Sequence, residues 1–432
     1  MKILIIHYRY LHGSGPESYL FNVTKLLEQH GHEVIPFSIN YSNNVPTKYS
    51  KYFIDPVGGK DQFNLFLNDR LSIGDKLTIV KNLFFNKEAY KAIENLVWDT
   101  KPDIAYVLQY WGKLSVSVIH ACVDLGLPVF LRCSDYGMVC AKNIFFRDGN
   151  ICTKCIKSQA FAVRYKCVQN SYIKSLLNYF ALRYSYRSGF HKKVAAIVAP
   201  SIMMQKMLKS FHELHRSRII HVPTFISEGC SGNEGSNRRT IEYRFCYIGR
   251  IAEDKGLIVM VRALLRLKEK GLYPETIIVG EYENEYGNGI KDLCKDNDLM
   301  NVYFTGFLDR KSVLSIVGSS GFCIVPSLWF DNMPNSIIES QAMGVPTIAS
   351  DIGSLPEMIE NGKNGYLFKP GDDYDLAEKM ELALNMNHEE LNSMHTNSLE
   401  FVKKNCSAER HYTTLLGAFE SVTHRGAHEA AY

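Results

Sequence analysis

The sequence predicts an α/β protein built of two doubly wound domains, each a parallel sheet covered by helices on both faces. Three observations lead there. Short apolar runs alternate along the whole chain with longer stretches of helical periodicity, the pattern of parallel strands and their crossovers. The 432 residues suffice for two domains of about 200 residues each. A polar, Gly-rich tract, SEGCSGNEGSNRR, separates two such alternating sets, as a linker would.

In the first set, Lys2 to His7 reads as a strand, and Gly13-Ser14-Gly15-Pro16 as a loop opening a helix, with Pro16 suited to the first helical turn. Leu20, Val23 and Leu27 recur at helical spacing, and Gly31 ends that helix. Further strands are expected at Glu33 to Ile39, Ile104 to Leu108, Val129 to Arg132, Ala196 to Ala199 and Ile219 to Val222. The second set has strands at Phe245 to Ile248, Thr276 to Val279, Val302 to Thr305, Phe322 to Val325, Thr347 to Ala349 and Tyr366 to Phe368. The expected domains are 1–224, carrying a cysteine-rich basic insert at 133–193, then a linker at 225–242, a second domain at 243–405, and a helix with a tail at 406–432. Sheets of this kind bind ligands beyond the carboxyl ends of their strands, so two facing domains would make a cleft between them.

Composition narrows the class. With 46% hydrophobic and 22% charged residues the chain reads as soluble and globular, and a net charge of +4 does not by itself point to nucleic acid. The apolar start of MKILIIHYRY is too short for a signal peptide and runs into the Gly loop. No run approaches the ~18 apolar residues of a spanning helix. A cytoplasmic chain is therefore expected, with its eleven cysteines reduced or metal-bound rather than disulfide-linked.

The most informative segment is PSLWFDNMPNSIIESQAMGVPTIASDIGSLPEMIENGKNGYLFKPGD, residues 326 to 372. Asp331 and Glu339 straddle a helix start, which places one carboxylate ahead of the helix and one in its first turn. Asn335 and Ser336 are expected to cap this helix, and with Ile337 to present backbone N–H groups. Carboxylates accept from sugar hydroxyls and amides face phosphate, so the segment suits a sugar diphosphate. Earlier in the same domain, YIGRIAEDKG puts Gly249, Arg250 and Lys255 just after a strand. Two cations there suit a diphosphate and the charge that develops on it as a leaving group; the alternative is a pair of solvated surface cations. Gly280 would let backbone approach a ligand closely. Gly306 and Phe307 would flank a nucleobase, although an aromatic beside a Gly is commonly core edge. Gly15 in the first domain is a ligand contact or a tight turn.

These elements resemble, in kind and order, those of retaining glycosyltransferases of family 4, and the resemblance covers nearly the whole chain. It implies the GT-B fold, two Rossmann-like domains facing a central cleft, with a last helix near Ser407 to Ser421 crossing back to the first domain. By resemblance, Arg250 and Lys255 contact the diphosphate of a UDP- or GDP-sugar, Glu339 binds its ribose, and Asp331 lies near the transferred sugar. The family usually has Glu where this chain has Asp331, and Asn332-Met333-Pro334-Asn335 replaces a common Gly-Phe-Gly. The implied setting is synthesis of a bacterial surface polysaccharide (capsule, O-antigen or exopolysaccharide) on a lipid-linked acceptor. The chain contains one Asp-x-Asp, Asp296-Asn297-Asp298, at an expected helix end. It reads as a solvated turn, so no metal is expected to be needed for transfer.

In the first domain Cys140, Cys152, Cys155 and Cys167 stand with gaps of eleven, two and eleven residues. That spacing fits a structural zinc site of four thiolates; the alternative is four small buried residues. A subset of family 4 is similar here, with the same Ser-Asp-Tyr start and cysteine spacing. Other members carry His where this chain has Ser134, which leaves Asp135 as the nearest ionisable candidate on the acceptor or sugar side. Residues 149 to 212 hold eleven Lys and Arg and no Asp or Glu, leaving the remainder of the chain at −7. With aromatic and aliphatic residues interleaved, this tract suits an anionic membrane surface, and hence a peripheral location on the inner face of the plasma membrane. The alternative is a helix packed on the domain with a basic edge. No recognition motif supports nucleic-acid binding. Two rival functions fit the same architecture: a nucleotide-sugar epimerase, or a non-catalytic zinc-binding scaffold.

Overall fold

The strands expected from the sequence form, and they sort into two six-stranded sheets. The computed structural model describes residues 1–13, 15–61, 71–226 and 241–429, the side chains of 241–242 and 423–429 excepted. The linker tract 227–240 and Ser14 lie outside the described residues.

The first sheet contains β1 (Lys2–His7), β2 (Glu33–Phe37), β3 (Ile104–Gln109), β4 (Val129–Arg132), β7 (Ala196–Ala199) and β8 (Ile219–His221), in the order β2-β1-β3-β4-β7-β8. Between β4 and β7 a two-stranded antiparallel hairpin forms from β5 (Phe146–Arg147) and β6 (Asn150–Ile151). Its turn is Asp148-Gly149, both at positive φ (51° and 73°), the sequence that a two-residue hairpin loop favours. The second sheet contains β9 (Ile241–Ile248), β10 (Glu275–Val279), β11 (Val302–Gly306), β12 (Ser320–Val325), β13 (Thr347–Ser350) and β14 (Gly365–Phe368), in the order β11-β10-β9-β12-β13-β14. Every neighbouring pair in both large sheets is parallel.

Burial explains why these runs are apolar throughout. Ile3, Leu4, Ile5 and Ile6 are all buried although they alternate between the two faces of β1, which requires cover on both sides. In the second sheet one face packs on the Leu257–Glu269 and Asp373–Leu384 helices, and the other on the Asn335–Ala342 and His388–Asn405 helices.

The chain divides into two compact units: residues 1–143, 153–222 and 412–432, and residues 144–152 and 223–411. Two features of this division differ from the expected domains. The β5–β6 hairpin groups with the second unit, where Phe145 packs edge-on against Phe330 with ring centroids 6.3 Å apart. The final helix, Ala408–Glu429, is shared. His411 Nδ1 donates to Pro223 O (2.7 Å) in the second unit, while from Tyr412 onward the helix packs on the first. There Tyr412 stacks on His30 and bonds His32 at 2.9 Å, and Phe419 is buried against Tyr106 and Phe130.

Each sheet has one point where successive connections leave in opposite directions, between β1 and β3 in the first and between β9 and β12 in the second. Crevices at such points are where doubly wound sheets hold ligands.

Candidate active site

In the second unit the residues singled out from the sequence gather at the β9–β12 crevice. Arg250 and Lys255 lie in the turn after β9, and Asp331 in the loop after β12. The Lys255 ammonium bonds Asp331 Oδ2 at 2.5 Å, and Ser327 donates to the same oxygen at 3.0 Å. Asp331 is 5% exposed and the Lys255 side chain 21%, so this is a buried carboxylate paired with a partly exposed ammonium, joining the loops of adjacent strands. Lys255 also sits 5.1 Å over the buried Trp329 ring. Arg250, largely exposed, pairs with the buried Asp254 at 2.8 Å.

Backbone bonds hold these loops. Leu328 N donates to Asp254 O (2.9 Å), Ser354 N and Oγ donate to Asp331 O (3.1 and 2.9 Å), and Met333 N donates to Ser354 Oγ (2.6 Å). Gly256, directly after Lys255, has φ +70°, and a Cβ there would fall 1.8 Å from Pro326 O. Only glycine allows the two loops to meet. Gly280 answers a similar need: a Cβ on it would meet Gly249 O at 2.1 Å. Close packing of strand ends by itself requires glycine at 280.

Three further expectations change. The Asn335–Ala342 helix is capped by Pro334 with no side-chain hydrogen bond, so neither Asn335 nor Ser336 caps it. Both lie in its first turn with their N–H groups left over by the helix. Ile337 N bonds Pro334 O at 3.1 Å and its side chain is fully buried, so it offers a ligand nothing. Glu339 lies one turn deeper than expected, with no acid in the first turn. Its carboxylate pairs with Arg310 at 3.1 Å. Burial pushes the Glu339 carboxyl above its ordinary pKa, partly opposed by Arg310. Phe307 is 83% exposed, an aromatic face available to a base beside β11.

In the first unit, a crevice of about 100 Å³ lies at the carboxyl ends of β1, β3 and β4, lined by Tyr8, Gln109, Tyr110, Arg132, Ser134 and Asp135 among others. Asp135 accepts from Gly137 N at 2.8 Å, and burial raises its pKa against that bond. The side-chain oxygen of Gln109 is buried without a hydrogen-bond partner. Behind the crevice His7 ends β1. Its Nδ1 lies 2.6 Å from Arg9 O, its Nε2 is buried without a partner, and burial lowers its pKa to about 4. Arg9 and the buried Glu17 pair at 3.2 Å across the Gly loop. Gly15 is exposed at the start of the Gly15–Gln29 helix.

Three of the four cysteines, Cys140, Cys155 and Cys167, are neighbours in the first unit. Cys140 and Cys155 share a hydrogen bond that, with burial, raises Cys155, and Cys167 is near enough to add to it. Cys152 closes the β5–β6 hairpin, which groups with the second unit. Among the described residues no three His, Cys, Asp or Glu are placed to hold a metal ion. Asp296 and Asp298 are exposed at the end of the Glu285–Asp296 helix.

Several site residues escaped the sequence reading. Asp254 stands at i+4 from Arg250, a spacing that could have signalled the pair. His7, a polar residue closing an apolar strand just before a Gly loop, was also visible. Arg310, Ser327 and Ser354 reach the site only through tertiary folding and had no local signal.

Residues 233–401, which contain the whole β9–β12 site, match the family model described as Glycosyl transferases group 1. The amylovoran biosynthesis glycosyltransferase AmsK of Erwinia amylovora is 29% identical over 140 residues, 31% of this chain and 34% of that protein. The capsular polysaccharide biosynthesis glycosyltransferase CapM of Staphylococcus aureus is 25% identical over 139 residues, 32% of this chain and 36% of that protein. The matched stretches thus span about a third of these relatives' length. Among solved structures, sucrose-phosphate synthase of Thermosynechococcus elongatus aligns over 100% of both chains with TM-score 0.67 and 15% identity. Anabaena HepE in complex with UDP aligns over 98% of this chain and 100% of its own, with TM-score 0.64 and 15% identity. The fold is therefore that of the GT-B glycosyltransferases, two parallel-sheet α/β domains.

Two predictions follow from the electrostatics. Lys255→Met leaves the Asp331 carboxylate buried and unpaired, which costs about 3 kcal/mol. Lys255→Met/Asp331→Asn removes both charges and should regain most of that in denaturant unfolding. For His7, the unfolded chain takes up a proton near pH 6.5 and the folded chain only near 4. The stability from neutral His7 is therefore complete above pH 6.5 and is lost as pH falls to 4, by about 3 kcal/mol. His7→Asn keeps a polar atom near the Nδ1 position and should show a correspondingly shallower loss across that window in thermal unfolding.

Proposed function

We propose that this chain transfers a hexosyl-type sugar from a nucleotide-diphosphate donor, UDP- or GDP-linked, to an acceptor hydroxyl with retention of anomeric configuration. The observation that carries the reading is the β9–β12 switch point: Arg250 and Lys255 follow β9, the Asn335–Ala342 helix follows the loop after β12 that holds Asp331, and Lys255 bonds Asp331 between them. Cations and unpaired N–H groups so gathered suit a diphosphate, and Glu339 suits ribose hydroxyls.

The chemistry is electrostatic. As the bond from the anomeric carbon to the diphosphate oxygen breaks, Arg250, Lys255 and the helix N–H groups take up the charge on the departing nucleoside diphosphate. The acceptor oxygen bonds the anomeric carbon from the same face, and its proton passes to the leaving phosphate oxygen. No protein base is required. Asp331 keeps Lys255 in place through Oδ2, while Oδ1, bonded to Asn332 N at 3.0 Å, accepts from a sugar hydroxyl.

The relatives' names place them in amylovoran and capsular polysaccharide synthesis, and we extend that setting to this chain: a lipid-linked glycan acceptor in bacterial surface polysaccharide assembly. No helix among the described residues is long and apolar enough to cross a membrane.

Arg250→Ala and Glu339→Ala should each lower the rate of nucleotide release during transfer by about a hundredfold or more, without loss of the folded state by circular dichroism. Transfer should persist in EDTA. Near-normal rates in both variants, or a rate restored only by Mg²⁺ or Mn²⁺, would contradict the assignment.

A further inference from the structure

The helix Tyr172–Arg187 is inside out. Its buried side is made of Ser175, Asn178, Ala181, Leu182, Ser185 and Tyr186, largely small or polar. This orientation is fixed by specific bonds: Val168 N donates to Ser175 Oγ at 3.0 Å and Tyr186 OH donates to Met138 O at 2.8 Å. The large apolar residues face outward, with Ile173 70% and Phe180 51% exposed, and Tyr172, Leu176 and Tyr184 exposed with them. At about 100° per residue these five fall within an arc of roughly 120°, and Arg183 and Arg187 fall in the same arc. The stripe continues on a neighbour. Phe84, at the end of the Ile73–Phe84 helix, meets Tyr184 edge-on at 6.0 Å. Ile73 and Leu77, on the same side of that helix as Phe84, are exposed.

At its basic end the stripe opens into a groove of about 1160 Å³ whose walls include Arg183, Arg187, Lys192, Arg216 and Arg218 against one acid, Glu213. The groove lies by the amino ends of β7 and β8, away from the strand ends that form the first unit's crevice. It is therefore a separate surface from the proposed site.

We propose that this face is a docking surface for an anionic lipid bilayer, with the apolar stripe entering the headgroup–acyl boundary and the groove holding lipid phosphates. Exposed apolar residues in a contiguous stripe mark an interaction surface, and a basic rim on such a stripe is the pattern of an interfacial helix. A second copy of the chain seated symmetrically on this face would oppose its own arginines to each other, which disfavours that occupant. The surface complements the reading of a lipid-linked acceptor, but its test uses neither donor nor acceptor, so its failure would leave that reading standing.

The test is flotation of the full chain with phosphatidylglycerol or phosphatidylcholine vesicles. Wild type should float with the first and poorly with the second. Ile173→Asp/Phe180→Asp should lower the affinity for phosphatidylglycerol at least tenfold. Arg187→Glu/Lys192→Glu should abolish the preference for anionic vesicles, and both variants should keep the wild-type melting temperature. Failure of wild type to float, or flotation of both variants like wild type, would overturn the proposal. So would a wild-type dimer, seen by sedimentation, that Ile173→Asp/Phe180→Asp converts to monomer without any change in flotation.

Discussion

The ion pair between Lys255 and Asp331 is the interaction around which the second unit's site is arranged. It joins the turn after β9 to the loop after β12, and these are the strands that flank the switch point of the sheet. A buried pair gains stability only when the geometry is close and the remaining valences are filled. Here Ser327, Asn332 N and the Trp329 ring fill them. Gly256 makes the approach sterically possible, and Ser354 ties the Asp331 backbone in place. The cation that would face a diphosphate is therefore preorganised, and its orientation costs nothing when the donor arrives.

The same pair accounts for a departure from the resembled family. A glutamate at 331 would carry its carboxylate one methylene further. The shorter Asp331 keeps Oδ2 on Lys255 and Ser327 and leaves only Oδ1 with spare capacity. Lys255 and Arg250 are each paired with an acid, Asp331 and Asp254, whereas the N–H groups of Asn335 and Ser336 lie in the first turn of their helix.

The strands were legible because each is buried on both faces, so nearly every side chain in it must be apolar; β1 and β12 are the clearest cases. Boundaries moved by a few residues, as at β9, which starts at Ile241, and β2, which ends at Phe37. The site was legible as residue types near strand ends, but not as pairs. Whether a lysine faces solvent or an aspartate depends on side-chain reach across two loops, which spacing does not encode. The cap was misread because Asn335 and Ser336 are good cap residues, yet Pro334 at φ −63° already supplies the extended conformation of the N-cap. Cysteine spacing likewise fixes no contact: Cys140 and Cys155 meet through the fold of the first unit, which the gap of fourteen residues between them does not encode. The basic tract 149–212 was visible as composition, but its sense came only from the fold, which turns Ile173 and Phe180 outward and Ser175 and Asn178 inward.

The role proposed for the β9–β12 crevice is to hold a nucleotide-diphosphate sugar for transfer. The most direct measurement is nucleotide release from a panel of UDP- and GDP-sugars, each incubated with and without lipid-linked acceptors. The account predicts stoichiometric release of one nucleoside diphosphate with new glycoside, only when an acceptor is present. Conversion of the donor in the absence of any acceptor, or no release from any donor by the folded chain across the panel, would contradict it.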